Sequence, residues 1–158
     1  MKPEIDDFLR VLGSNLRAGR LHRGMTLLQL AACSGYDREE LSSLEDGAHD
    51  LRFESALSLC RALNLELPAV CGRFFQEQPE KKPFSEADLL PIFAANVRRV
   101  LSQKGLRQAA LQARVGLDPS TISKLLNGRL KNPRMTTLYR IAWSVECELE
   151  NLMRRREA

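Results

Sequence analysis

Aromatic residues make up only 6% of the 158-residue chain, and histidine occurs twice, as His22 and His49. Four cysteines, Cys33, Cys60, Cys71 and Cys147, are scattered with no CxxC pair and no histidine at ligand spacing. Those absences argue against a zinc site, because zinc ligands come in closely spaced pairs. No Gly-rich phosphate loop is present, so nothing points to an enzyme: no catalytic residue, metal or cofactor is expected. No apolar run approaches the length of a membrane span, so no membrane partner is expected. The amino end, MKPEIDDFLR, carries acids early and lacks the apolar core of a signal peptide. The expected location is therefore cytoplasmic, with the cysteines as small apolar residues or free thiols.

What the chain does have is repetition. Offset by 81 residues, it overlays itself without a gap from Asn15 to Gly47. Asn15 falls on Asn96, Arg17 on Arg98, Gly24 on Gly105, Leu30 on Leu111 and Ala32 on Ala113. Gly35 falls on Gly116, Asp37 on Asp118, Ser42 on Ser123, Leu44 on Leu125 and Gly47 on Gly128. With one extra residue in the second copy, Leu59, Leu63 and Leu67 meet Ile141, Val145 and Leu149. The simplest reading is two copies of one five-helix unit, each about the size of a minimal domain.

In the first copy, Ile5, Phe8, Leu9, Leu12 and Leu16 recur at helical spacing, and this helix should end between Gly19 and Gly24. Thr26 is placed to cap LLQLAAC, which stops at Gly35, and Asp37 to cap REELSSLED, which stops at Gly47. A fourth helix lies within Phe53 to Leu63, and Pro68 opens a short last one, AVCGRFF. The polar stretch QEQPEKKPFS, with Pro79 and Pro83, reads as a linker. Ser85 with Asp88 forms a capping-box pattern, and Pro91 suits the first turn of PIFAANVRRVLSQKG.

The second copy has its most informative stretch at LRQAALQARVGLDPSTISKLLNG, Leu106 to Gly128. A helix carrying Ala110, Leu111 and Ala113 stops at Gly116. Asp118 and Pro119 then open a second helix, with Ile122 and Leu125 on one face and Ser120, Thr121, Ser123 and Lys124 on the others. Two short helices around a glycine turn, the second showing small polar groups and a cation, form a helix-turn-helix pattern. The stretch resembles the lambda-repressor/Cro (XRE-type) family in Gln108, Leu111, Gly116, Ile122-Ser123, and Asn127-Gly128 followed by Arg129 and Pro133. The likeness runs from about Phe93 to Leu152.

The resemblance implies an all-α fold of two tandem five-helix helix-turn-helix domains. Residues 1–76 would form a degenerate acidic domain, 77–84 a linker and 85–158 the DNA-binding domain. It also implies a sequence-specific transcriptional regulator, expected to be a repressor, binding double-stranded DNA at a palindromic operator as a homodimer. By resemblance, Ser120, Thr121 and Lys124 read bases in the major groove, and Gln108 touches the backbone or steadies the reading helix. Asn127, Arg129 and Lys131 grip phosphate, as does Arg107. Pro119 departs from the family, which often has a polar base-reading residue there, so readout is expected to be narrower or to lean on DNA shape. Arg98, Arg99 and Arg134 are expected on a solvated face, and MRRRE near the end as a solvated tail.

Charge separates the copies. Up to Gln78 the chain has 9 Lys or Arg against 12 Asp or Glu, a net −3; the remainder has 15 against 8, a net +7. Affinity for DNA is largely set by cations that displace counterions, so the second copy should bind it. Where the second copy has Pro119, Ser120, Thr121 and Lys124, the first has Arg38, Glu39, Glu40 and Ser43. Two adjacent carboxylates would repel phosphates. Leu27 replaces Gln108. The first copy is therefore expected to keep the fold without the groove contact, and to assemble the protein or bind a protein partner. Tyr139 and Trp143, four residues apart on one helix face, are the candidates for a dimer interface, with packing of Trp143 on the first copy or the tail as the equal alternative. The core stripe of that helix is expected at Leu138, Ile141, Ala142 and Val145. Two alternatives stand beside this reading: an antitoxin-like or protein-interaction module, or DNA binding by both copies.

Overall fold

The computed structural model describes residues 4–73, 75 and 88–154. The linker expected over residues 77–84, Ser85 of the expected capping box, and most of the MRRRE run lie outside the described residues. The described residues form ten helices: α1 Ile5–His22, α2 Leu27–Ser34, α3 Arg38–Glu45, α4 Phe53–Leu63, α5 Leu67–Val70, α6 Leu89–Gln103, α7 Gln108–Val115, α8 Pro119–Leu126, α9 Met135–Ser144 and α10 Leu149–Leu152. The fold is all-α; the single strand-like feature among these residues is an isolated antiparallel bridge between Arg52 and Arg134.

Local chemistry explains the boundaries. Phe8, Leu12 and Leu16 bury one face of α1, while Asp6 and Asp7 in its first turn and Arg20 and His22 in its last complement the helix dipole. Thr26 opens α2 with a capping box: its hydroxyl accepts from Gln29 N at 3.1 Å, and Gln29 Oε1 accepts from Thr26 N at 2.8 Å. The carboxylates of Asp37 and Asp118 accept from Glu40 N and Thr121 N, each at 2.8 Å, and so start α3 and α8. α2 and α7 end on Gly35 and Gly116 at φ of 80° and 75°. A side chain there would be strained, and the left-handed turn aims the following helix across the preceding one.

Helix positions recur with the offset seen in sequence: α2 and α3 map onto α7 and α8 at 81 residues, and α5 onto α10 at 82. The internal fastening recurs too. Asn15 Nδ2 donates to the carbonyls of Val70 and Gly72, both at 2.8 Å. Asn96 Nδ2 donates to those of Leu152 and Arg154 at 2.8 and 3.0 Å. These bonds pin the last short helix to the first long one. They also explain why α5 stops at Val70, short of the expected AVCGRFF helix: the amide takes carbonyls that a continuing helix would use.

The buried side chains of both five-helix sets join in one continuous cluster. α1 packs on α3 and α4 within its own set and on α9 of the other, and α5 packs on α10. As expected, Leu138, Ile141, Ala142 and Val145 are buried along or just past α9. Cys60 and Cys71 are buried, Cys147 is half-buried and Cys33 exposed, all as free thiols. Burial pushes the Cys71 thiol well above its ordinary range, so it behaves as an inert core residue.

Candidate nucleic-acid interface

The candidate interface consists of α7, α8 and the loop after them. Ile122, Leu125 and Leu126 anchor α8 in the core. That seating leaves Ser120, Lys124 and Asn127 exposed and Thr121 half-exposed on the outer side. Arg107 and Gln108 are exposed at the start of α7, and Arg129 and Lys131 are exposed after α8. The sequence-predicted residues thus occupy the motif's outer surface, with cations at both ends and polar groups between them.

Two polar groups are partly committed. Thr121 Oγ1 donates to Asp118 Oδ2 at 2.8 Å, leaving its oxygen as an acceptor. Asn127 Nδ2 reaches Ser123 Oγ at 3.4 Å. Asp118 is the one carboxylate at this end of α8. The Thr121 backbone N–H and hydroxyl it accepts from hold its carboxyl below the ordinary value of 3.8, with Lys124 adding to the effect.

Several cations prove to be structural. Arg98, expected on a solvated face, donates through Nη1 to the Leu126 carbonyl at the end of α8. Arg99 donates to Asn96 Oδ1 at 3.0 Å, and Arg134 lies 3.6 Å from Asp50 Oδ2. Arg114 and Lys104 donate to the carbonyls of Ser144 and Val145, at 3.2 and 2.6 Å, where α9 ends. Cations at helix C-termini satisfy orphan carbonyls and oppose the dipole. Sequence offered no signal for the carbonyl partners of Arg98, Arg114 and Lys104, because each lies 28 to 41 residues away along the chain.

The equivalent surface of the first set differs. Arg38, Glu39, Glu40 and Ser42 on α3, and Asp46 just past it, are exposed. Asp37 is held below its ordinary value mainly by the Glu40 N–H, while the neighbouring Asp37 carboxyl pushes Glu40 up. Leu28 on α2 is 66% exposed, beside a half-buried Leu27 in place of Gln108.

Of the two rings proposed for pairing, Tyr139 stacks on Phe8 with centroids 4.5 Å apart and ring planes at 10°. Trp143 is half-buried and lines, with Phe8, Cys71 and Tyr139, a recess of about 170 Å³.

The arrangement of α7 and α8 about Gly116 is that of a helix-turn-helix. Residues 96–157 match the Cro/C1-type HTH DNA-binding domain family, a stretch that takes in the second half of α6 and all of α7 to α10. No curated protein and no solved structure matches the chain. The match supports a DNA-binding transcription regulator. No helix among the described residues is long and apolar enough to cross a membrane.

Proposed function

We propose that this protein is a sequence-specific transcriptional repressor that reads the major groove through α8. The observation that carries the proposal is the pairing of the family match over residues 96–157 with an α8 surface whose outer groups, Ser120, Thr121 and Lys124, can meet base edges. Arg107, Asn127, Arg129 and Lys131 flank them and supply phosphate contacts, which set position and most of the affinity. Binding over a promoter would exclude other proteins from it. Residues 1–76 keep the helix pattern while presenting Glu39 and Glu40 where α8 presents Ser120 and Thr121, so this set serves assembly and not reading.

A homodimer on a palindromic operator would need an open pairing surface. Tyr139, one of the two rings expected there, is stacked on Phe8 of the same chain.

Enrichment from a random duplex pool tests the proposal. The full chain should select a defined motif and bind it with an affinity that falls steeply as salt rises. A chain that enriches no sequence, or whose binding ignores salt, is not a DNA reader.

A further inference from the structure

The two five-helix sets meet through the same face of each. Phe53 N donates to the Pro133 carbonyl and Met135 N to the Leu51 carbonyl, both at 2.7 Å. Residues 51 and 53 correspond to 133 and 135 at the repeat offset of 82. The two bonds are therefore exchanged copies of one bond, as across a two-fold axis. α5 against α10 repeats the relation, since these helices are also equivalents.

The contacts around this axis are unequal, and they fit the two sets to each other. Asp50 accepts from Thr136 Oγ1 at 2.9 Å and pairs with Arg134. Asn132 Oδ1 accepts from Glu54 N at 2.9 Å, and Glu66 pairs with Arg154 at 3.4 Å. Gly72 leaves room for Glu150, whose carboxylate any Cβ there would strike. Phe8 stacks on Tyr139 at one place, while the equivalents of that pair are Leu89 and Leu57. Two first sets paired this way would keep a cation beside Asp50, because Arg52 stands at the position of Arg134, but would bring Asp50 against Glu54, which stands at the position of Thr136. Two second sets would have Asn132 in place of Asp50, and so would lose the charge that pairs with Arg134. The face thus disfavours like pairing with like.

We infer that this chain is its own dimer: the same face of its two halves is paired within one chain, so a single copy occupies one asymmetric DNA site. The inference rests on the reading of α8 as the DNA-contacting helix. An isologous contact closes on itself, and once the two patches cover each other neither is left for a second copy. The covalent tether makes the pairing intramolecular, at an effective concentration on the order of millimolar, far above that of a second chain.

Two measurements on the full chain test this. The first is the mass, by light scattering, of the protein alone and on a duplex carrying its selected motif. The expected result is 17.9 kDa alone, one chain per duplex, and a motif without a palindrome. Two chains per duplex on a palindrome overturn the inference while leaving the DNA reading intact. Failure to enrich any motif overturns the DNA reading and the inference with it.

The second is a cross-link, Arg52→Cys with Arg134→Cys in a Cys33→Ser background. The facing Cα atoms of such a bridge lie about 4.5 Å apart, within disulfide range. A bond formed within one chain, with DNA affinity kept to within about twofold, supports the inference. Bonds formed only between chains contradict it.

Discussion

Arg20 and Leu101 occupy equivalent positions, as do Glu45 and Leu126, yet the two pairs solve the same packing problem in opposite ways. In the first set Arg20 Nε bonds Glu45 Oε1 at 2.6 Å, with side chains only 10% and 6% exposed, and Arg20 Nη1 also donates to the Met25 carbonyl. In the second set both positions are buried leucines. Either choice joins the first helix to the end of the third. The scaffold therefore depends on where the glycines, caps and core leucines stand, and it tolerates a change from ion pair to hydrocarbon at one joint. The same freedom acts on the outside, where Glu39 and Glu40 of α3 stand against Ser120 and Thr121 of α8.

The largest expected effect lies at the buried joint. Arg20→Ala should cost about 3–5 kcal/mol, because it strands the Glu45 charge. Replacing both Arg20 and Glu45 by leucine, as in the second set, should be neutral or stabilising. Urea unfolding of the full chain decides it: a single variant that loses less than about 1 kcal/mol would show the pair behaving as a surface ion pair.

Next comes the transfer of the acidic surface onto α8. Ser120→Glu with Thr121→Glu should weaken DNA binding on the order of a hundredfold, about 2.7 kcal/mol, read by fluorescence anisotropy. The Asp118 cap survives this change, because it bonds a backbone N–H at residue 121. Arg129→Ala should act more mildly. It should weaken binding equally on matched and mismatched duplexes and lower the salt slope by about 0.9. A loss confined to one sequence would make Arg129 a base reader.

The smallest effect is electrostatic. Asp118 is held below its ordinary value of 3.8 by the Thr121 N–H, so its stabilising contribution is complete above that value. The contribution fades as pH falls through the lower folded value. Asp118→Asn keeps the cap and removes this dependence, so acid unfolding of the variant should shift less with pH below about 4 than that of the parent. In the first set the opposite shift of Glu40 works against that of Asp37, which blunts the same response.

Much of the fold was legible because its determinants are local. Thr26, Asp37, Asp118, Gly35 and Gly116 act within a few residues of themselves, and α4 spans the expected Phe53 to Leu63. The outer surface of α8 could be read for the same reason: burial of Ile122 and Leu125 fixes which neighbours face outward. The Arg20–Glu45 pair, the Phe8–Tyr139 stack and the bonds around Arg52 and Arg134 join residues 25 to 131 positions apart. No periodicity encodes such partners. Arg98 and Arg134 are expected on a solvated face for that reason, since Leu126 and Asp50 become their neighbours only when the helices pack.

The most direct test exchanges the two surfaces on one duplex. Salt titrations would compare the parent with two full-length variants, Ser120→Glu/Thr121→Glu and Glu39→Ser/Glu40→Thr. If α8 alone reads DNA, the first variant loses affinity on the order of a hundredfold, and the second stays within about twofold of the parent with the same motif. If instead the change in α3 alters the motif or the affinity as much as the change in α8, both helices touch DNA. The division of labour between the two halves would then be wrong.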